Sequence, residues 1–155
     1  MTDTANLFAL EETSDEADPE GYRASCASLH KLIGGEKLHA NVFGLPPGQA
    51  VCPYHYEYPD EEWLIVLDGT PTLRQPSGER VLRAGDIVCF PAGPEGAHKV
   101  SNASDTPARV LILSSHQNPS LAVYPDSDKI GVWSGNDADK ILVHRASAVE
   151  YYDGE

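Results

Sequence analysis

The chain has 155 residues and carries 11 lysines and arginines against 24 aspartates and glutamates, a formal net charge of −13. This length supports a single domain with its own core, and the negative charge disfavours nucleic acid and membrane surfaces as partners because both are themselves anionic. Three cysteines, at positions 26, 52 and 89, have no zinc-site spacing, and no signal peptide is recognisable. We therefore expect a reduced, soluble, cytoplasmic protein.

The first segment, residues 1–22, is predicted to be an acidic N-terminal arm. Its run EETSDEADPEG contains few apolar residues. Such a composition cannot bury enough apolar surface to fold by itself and is typical of a solvated or mobile segment.

Short apolar runs bounded by Gly, Pro, Asn or Asp fill residues 23–115, and none of them has helical periodicity. The runs are LHANVFGL, WLIVLDG, TPTLRQP, ERVLRAG, DIVCFP, AHKVSN and ARVLILSS. Turn signals about 8–12 residues apart predict an all-β sandwich or barrel. The PSG turn predicts a hairpin between Thr72 and Val81, and NASDTP predicts another between Val100 and Val110. Cys89, inside DIVCFP, is expected to be a small buried hydrophobe.

The last segment, residues 116–155, has a looser pattern. Two or three short strands are predicted, around Ala122, Val132 and Val143. The segment has too few apolar residues for a core of its own, so we expect a C-terminal extension that packs on the barrel.

Several polar side chains lie at strand positions where the period-two alternation can place them on a common face. His55 and Glu57 share a face of one strand, and Glu62 begins the next apolar strand. The intervening YPD, residues 58–60, favours a turn, so both strands can direct a carboxylate to one point. Further along, His98 shares a face with Val100 and Asn102.

Other side chains are expected to face away from this cluster. Tyrosines 54, 56 and 58 alternate with His55 and Glu57, which places them outside the barrel or at a dimer contact. The opposite face of the Glu62 strand is apolar, and it needs the terminal arms or a second subunit as a cover; its residues are Trp63, Ile65 and Leu67. A homodimer is therefore expected. The four histidines without ligand spacing are expected at the surface or half-buried; they are His30, His39, His116 and His144.

Two segments in chain order, residues 48–69 and 85–102, resemble the paired motifs of the cupin superfamily. The first family motif runs from a glycine through His-x-His and a glutamate to a second glycine, and the matching residues are Gly48, His55, Glu62 and Gly69. The second runs from a glycine through Pro-x-Gly and a histidine to an asparagine, and the matching residues are Gly85, Pro91, Gly93, His98 and Asn102. The resemblance covers about residues 36–115. It implies a double-stranded β-helix, a jelly-roll barrel, with short N- and C-terminal extensions.

The resemblance also implies a metal site, from which this chain departs at one position. The family's ligands are three histidines and one glutamate; carried over, they become His55, Glu62 and His98, with Glu57 in the place of the missing histidine. The loops before His55 and His98 are slightly longer than in the family motif, and loops tolerate such insertions.

Two imidazoles with one or two carboxylates are competent ligands for a divalent transition metal such as Zn, Mn, Fe or Ni. Glu57 is a fourth ligand, or it hydrogen-bonds a ligand histidine, or it points away from the metal. The alternative is a barrel that has lost its metal, in which Glu62 and His98 form a hydrogen-bonded or ionic pair.

Two functions follow from the resemblance. The first is a metal-dependent protein acting on a small molecule, with dioxygenase or isomerase chemistry, in which the metal polarises a bound oxygen or, as iron, activates dioxygen. Glu57 or Glu61 is then the candidate general base. The second is a non-catalytic cupin that binds or senses a small ligand.

Overall fold

A computed structural model describes residues 3–155, so Met1 and Thr2 of the predicted arm lie outside the described residues. Strands dominate the described chain, and they are β1 (Ser25–Ser28), β2 (His39–Leu45), β3 (Tyr56–Tyr58), β4 (Glu62–Asp68), β5 (Thr72–Gln75), β6 (Gly78–Val81), β7 (Ile87–Phe90), β8 (Lys99–Ser101), β9 (Ala108–Ser114), β10 (Ser120–Tyr124), β11 (Lys129–Trp133) and β12 (Ile141–His144). The helical elements are short, namely α1 (Leu29–Leu32) and 3₁₀ turns at Leu7–Ala9, Pro94–Gly96, Pro125–Ser127, Asp137–Asp139 and Arg145–Ser147. Within residues 3–155, no helix has the length and apolar character needed to cross a membrane.

The strands form three antiparallel sheets. One sheet has the order β1-β2-β9-β4-β7, a second has the order β12-β11-β10-β3, and a third has the order β6-β5-β8. Neighbours in these sheets are distant in sequence, as when β9 pairs with both β2 and β4. This crossing-over is typical of a jelly roll, and the structure confirms the predicted all-β, double-stranded β-helix fold.

The core lies between the five-stranded and three-stranded sheets. Inward positions alternate along each strand, so that Leu64 and Val66 of β4 are 0% and 1% exposed. From the facing sheet, Leu73 of β5 and Val100 of β8 pack into the same cluster. The two sheets therefore close around an apolar interior to which β4, β5 and β8 all contribute.

Two of the turns show why the strands are placed as they are. The predicted Thr72–Val81 hairpin is confirmed, since β5 pairs with β6. The second predicted hairpin is wrong, because β8 pairs with β5 whereas β9 pairs with β2 and β4. Buried Asn102 explains the difference: its amide donates to the carbonyls of Leu45 and Thr106, both at 2.8 Å, and directs the chain to the other sheet.

The N-terminal segment covers part of the outer face of β4. Leu7 and Leu10 pack in a second apolar cluster with Ile65 and Leu67. Farther along the segment, Glu12 pairs with Arg109 of β9 at 2.5 Å. The terminal arm thus provides some of the cover that this apolar face required.

Cys89 is exposed, and its prediction as a buried hydrophobe is wrong. On β7 it is Val88 and Phe90 that face the core, so the alternating residues Ile87 and Cys89 face outward. Because β7 is an edge strand of the five-stranded sheet, nothing in residues 3–155 covers this outer face, and Ile87 is 61% exposed.

The C-terminal segment contributes three strands, β10, β11 and β12, at the predicted places. β10 pairs with β3, aligning Ala122 with Glu57 and Val123 with Tyr56. This pairing brings the C-terminal segment directly beside the strand that carries Glu57, so it forms part of the wall around the candidate site.

Candidate metal centre

A backbone bridge between two distant loops brings two histidines together. His55 precedes β3 and His98 precedes β8, and each donates its backbone N–H to the carbonyl of the other, at 3.1 and 2.8 Å. Residues paired in this way carry their side chains on one face. The two imidazole rings accordingly lie 4.8 Å apart between centroids, and both residues are buried.

The same loops fix the tautomer of each imidazole. Nδ1 of His55 lies 3.0 Å from the carbonyl of Pro53, and Nδ1 of His98 lies 2.9 Å from the carbonyl of Gly96. A carbonyl can only accept, so each Nδ1 must carry the proton and donate it. The unprotonated Nε2 of each ring is left as a free lone pair, which is the state that a metal ion requires.

Glu62 adds a carboxylate to these two nitrogens. It is the first residue of β4, and its Oε2 lies 3.4 Å from Nε2 of His98. Ligand atoms of His55, Glu62 and His98 all lie within 4.8 Å of one another. Small side-chain movements would place all three around one ion, so this cluster could hold a metal.

Glu57 lies at the edge of this group. Its Oε1 is 3.8 Å from Nε2 of His55, and its side chain is 23% exposed. The compact three-residue cluster does not include it. Glu57 therefore shares the face of the ligand residues but lies farther from their common centre.

Burial makes both carboxyl groups unusually weak acids. Desolvation, with a smaller effect from Asp60, raises the pKa of Glu57 to about 7. Desolvation, followed by the charges of Glu57 and Asp60, raises the pKa of Glu62 to about 8. Two neighbouring carboxylates without a cation thus hold at least one proton at neutral pH.

The imidazoles are shifted in the opposite direction. Desolvation and the nearby His55 lower the pKa of His98 to about 3, and desolvation lowers the pKa of His55. Near neutral pH Glu62 and His98 are therefore a neutral acid beside a neutral base rather than an ion pair. A divalent cation would reverse the carboxyl shifts by stabilising the ionised form.

Aromatic rings hold the two imidazoles in place. Phe90 of β7 stacks on His98, with centroids 3.7 Å apart and ring planes 8° from parallel. Tyr124 of β10 stacks more loosely on His55, at 5.8 Å. Burial, with Cys52 and Glu57 nearby, raises the pKa of the Tyr124 hydroxyl to about 12, so it stays protonated and can donate.

Three residues near the centre were not predicted from the sequence, namely Cys52, Asp60 and Tyr124. The Cys52 thiol lies 3.5 Å from Nδ1 of His55. Asp60, 2% exposed, accepts hydrogen bonds from the Gln117 backbone and the Ser115 hydroxyl. Alternation along the C-terminal strand hinted that Ala122 and Tyr124 share a face, but only the pairing of β10 with β3 shows which face it is.

Of the three tyrosines before β4, which were expected outside the barrel or at a dimer contact, Tyr54 is buried and Tyr58 is 42% exposed. The Arg74 guanidinium lies 3.9 Å above the Tyr54 ring. Glu61 points away from the cluster, since its carboxylate accepts a hydrogen bond from the exposed Trp63 indole. This orientation removes Glu61 as a candidate base.

A second group of histidines forms outside the barrel. His30, His39 and His116 stack with centroids 4.0 and 3.5 Å apart, and we call them the outer histidine stack. His30 is 6% exposed, so the expectation of a surface or half-buried position is wrong for it. The fold brings these three distant positions together, which their spacing in sequence did not indicate.

The residues of the inner cluster fit a transition metal by their chemistry. Two neutral imidazoles with free Nε2 atoms and one carboxylate are the donors that Zn, Fe, Mn and Ni bind in proteins. The protonated Nδ1 atoms and stacked rings supply the outer support that such ligands ordinarily have.

Both the sequence and the fold of this chain are similar to those of known proteins. The Cupin domain family matches residues 41–114, whereas none of the curated proteins matches the chain. A sugar phosphate isomerase of the cupin superfamily from Silicibacter pomeroyi superposes with a TM-score of 0.81 at 22% identity, covering 97% of this chain and 98% of its own. A protein provisionally assigned as a sugar phosphate isomerase, from Acidithiobacillus ferrooxidans, gives 0.80 at 23% identity, covering 93% of this chain and 91% of its own.

A third structure is more distant. The polyketide cyclase RemF from Streptomyces resistomycificus superposes with a TM-score of 0.63 at 17% identity, over 77% of this chain and 84% of its own. At such identities the likeness concerns the fold and not the activity. The Cupin domain match, together with the motif residues and the jelly-roll topology, shows that residues 41–114 form a Cupin domain.

Proposed function

We propose that this protein binds one divalent transition metal (Zn, Mn, Fe or Ni) and acts on a small molecule there. The ligands are His55, Glu62 and His98, with Glu57 as the fourth. The observation that carries the proposal is the convergence of two unprotonated Nε2 atoms and the Glu62 carboxylate within 4.8 Å. In the alternative without metal, burial keeps Glu62 and His98 as a neutral acid beside a neutral base, whereas a bound cation would favour the ionised carboxylate.

Isomerisation is the reaction class that we favour. A sugar phosphate isomerase shares the fold over nearly the whole length of both chains. Once bound, the metal would polarise a carbonyl or hydroxyl oxygen of the substrate. Among the acids near the cluster, Glu57 is the one placed to move a proton in such a reaction if it is not a ligand, since its pKa of about 7 suits that task at neutral pH.

The direct test is elemental analysis of protein purified without chelators or added metal. We expect about one transition-metal ion per chain in the wild type. His98→Ala should lose it, whereas His144→Ala, which changes an exposed histidine of β12, should retain it. The proposal is rejected if the wild type carries no stoichiometric metal and if, after metal addition, His98→Ala contains as much metal as the wild type.

A non-catalytic role is the second candidate, and the burial of the site favours it. His55 and His98 are 7% and 2% exposed, and closed sites are typical of structural metals. Azide titration of the Co²⁺-substituted protein distinguishes a catalytic metal from a structural one. A change in the visible spectrum shows an open coordination position and supports catalysis, and an unchanged spectrum supports the structural role.

For the assembly, we propose a homodimer in the cytoplasm. The outer face of β4 and β7 keeps Trp63 and Ile87 46% and 61% exposed, and a second subunit would bury them. Light scattering should give twice the chain mass for the wild type and the monomer mass for Ile87→Glu. A monomeric wild type would refute the dimer.

A further inference from the structure

A groove beside the candidate metal centre is lined by Lys129, and Lys99 lies near its Tyr22 wall. The groove has a volume of about 580 Å³, within the range of small-molecule sites. Tyr22, Cys52, Tyr54, Asp126 and Lys129 are among the residues that line it. We call it the lysine groove, because Lys99 also borders it, with its ammonium 5.3 Å from the centroid of the Tyr22 ring.

The two lysines differ from the other three in their surroundings. Lys99 and Lys129 are half-buried, whereas Lys31, Lys37 and Lys140 are exposed. Within residues 3–155 no ion pair joins Lys99 or Lys129 to a carboxylate. An ammonium group that no carboxylate pairs can instead bind an anionic ligand.

The acids of the groove do not cancel these charges. Asp126 is held by Arg74 through two hydrogen bonds of 2.6 and 2.9 Å, so this pair is internally neutral. The hydrogen bond from Arg74 lowers the pKa of Asp126, and Lys99 adds to that shift, which shows that the field of its ammonium reaches the groove. Asp18 is the remaining acid in the lining, against Lys129 in the lining and Lys99 beside it.

Strand pairing connects the groove to the metal centre. Lys129 lies opposite Tyr124 in the β10–β11 pair, and its ammonium is 5.5 Å from the centroid of that ring. Tyr124 in turn stacks on His55. Cys52, in the groove wall, also contacts His55. A small molecule with its charged group at Lys129 therefore lies next to the residues that hold one metal ligand.

We propose that the lysine groove binds the phosphate or carboxylate group of a small anionic ligand through Lys129 and Lys99. The inference rests on the proposed function in one respect: it assumes that this ligand is the small molecule that binds at the metal. The net charge of −13 belongs to the whole chain and is screened beyond about 8–10 Å, whereas Lys129 lines the groove itself.

The test is calorimetric titration of inorganic phosphate, and separately of malonate, into the full chain. Lys129→Gln should weaken phosphate binding about 10- to 100-fold, because a hydrogen bond to a charged group is lost. Lys129→Arg should restore most of the affinity, and the matched control Lys140→Gln should bind like the wild type. Tighter phosphate than malonate binding points to a phosphorylated ligand, and the reverse points to a carboxylate; either order supports an anion site.

Metal content, measured on the same samples, separates this inference from the proposed function. Lys129→Gln should retain its metal, and His98→Ala should lose metal while still binding phosphate. If the wild type has no metal but binds phosphate through Lys129, only the proposed function fails. Any of three results would overturn the inference. The wild type binds neither phosphate nor malonate, or Lys129→Gln binds phosphate as tightly as the wild type, or His98→Ala abolishes phosphate binding while Lys129→Gln does not.

Discussion

Two histidine clusters in this protein differ in how well their geometry suits a metal ion. In the inner cluster the rings of His55 and His98 are tilted by 53°, and Glu62 lies within 3.4 Å of one of them. In the outer histidine stack the rings are within 12° of parallel. The lone pair of an imidazole nitrogen lies in the plane of its ring. Stacked parallel rings have planes that do not intersect, so their lone pairs cannot converge on one ion.

The surroundings of the clusters differ as well. In the inner cluster each Nδ1–H is held by a carbonyl and each Nε2 faces a carboxylate. In the outer histidine stack no ring forms an ion pair with a carboxylate within residues 3–155. Convergent nitrogens and an ionisable oxygen, rather than the number of histidines, distinguish a candidate metal centre.

The largest expected contrast comes from removing one imidazole from each cluster. His55→Ala should weaken binding of Zn²⁺ or Mn²⁺ by at least about 100-fold, since loss of an outer-shell partner alone costs about 10- to 100-fold. His116→Ala should bind the metal like the wild type. Competition with a chromophoric chelator measures both affinities. Equal losses in the two variants would show that the outer histidine stack binds metal too.

The two carboxylates allow a finer comparison within the inner cluster. Glu62→Gln should abolish stoichiometric metal, because its oxygen belongs to the compact cluster. Glu57→Gln should also lose affinity, by about 10-fold or more, as a fourth ligand or a partner of His55. If Glu57→Gln leaves the metal affinity unchanged, Glu57 is not a ligand.

Metal binding should release protons from the inner cluster. With pKa values of about 8 for Glu62 and about 7 for Glu57, the metal-free protein at pH 7 holds about one to two protons that a cation must displace. The lowered pKa values of the histidines keep them neutral in this range. Metal affinity should therefore rise with pH through about 7–8 and then level off.

Calorimetry in buffers of different ionisation enthalpy counts these protons. If Glu62→Gln still binds some metal, it should release fewer protons on binding than the wild type does. A metal affinity that is independent of pH between 6 and 9 would contradict the raised carboxyl pKa values.

The smallest effect is expected in the outer histidine stack. Desolvation and the neighbouring His116, His30 and Lys31 lower the pKa of His39, with Asp60 acting in the opposite direction. The folded chain then binds fewer protons than the unfolded chain, so stability falls as the pH drops below the ordinary value of 6.5. His39→Gln should shift acid unfolding slightly to lower pH, measured by circular dichroism. A shift to higher pH would contradict the repulsive character of the stack.

Much of the fold could be predicted from the sequence, because alternation and turn residues are local signals. The strand that begins at Glu62 and the hairpin between Thr72 and Val81 appear as predicted. The hairpin predicted after Val100 does not form, since pairing partners depend on sheet topology rather than on loop composition. Cys89 faces outward for a related reason: an apolar run does not reveal which of its faces meets the core.

The all-β class and the two motifs could be read from the sequence, and the resemblance of those motifs to cupins implied His55, Glu62 and His98 as ligands. These depend on period-two geometry and on spacing along the chain. The stacking of Tyr124 on His55, and the position of Lys129 beside Tyr124, became visible in the three-dimensional structure alone. Contacts between residues far apart in the chain follow from strand pairing and core packing, which no local pattern encodes.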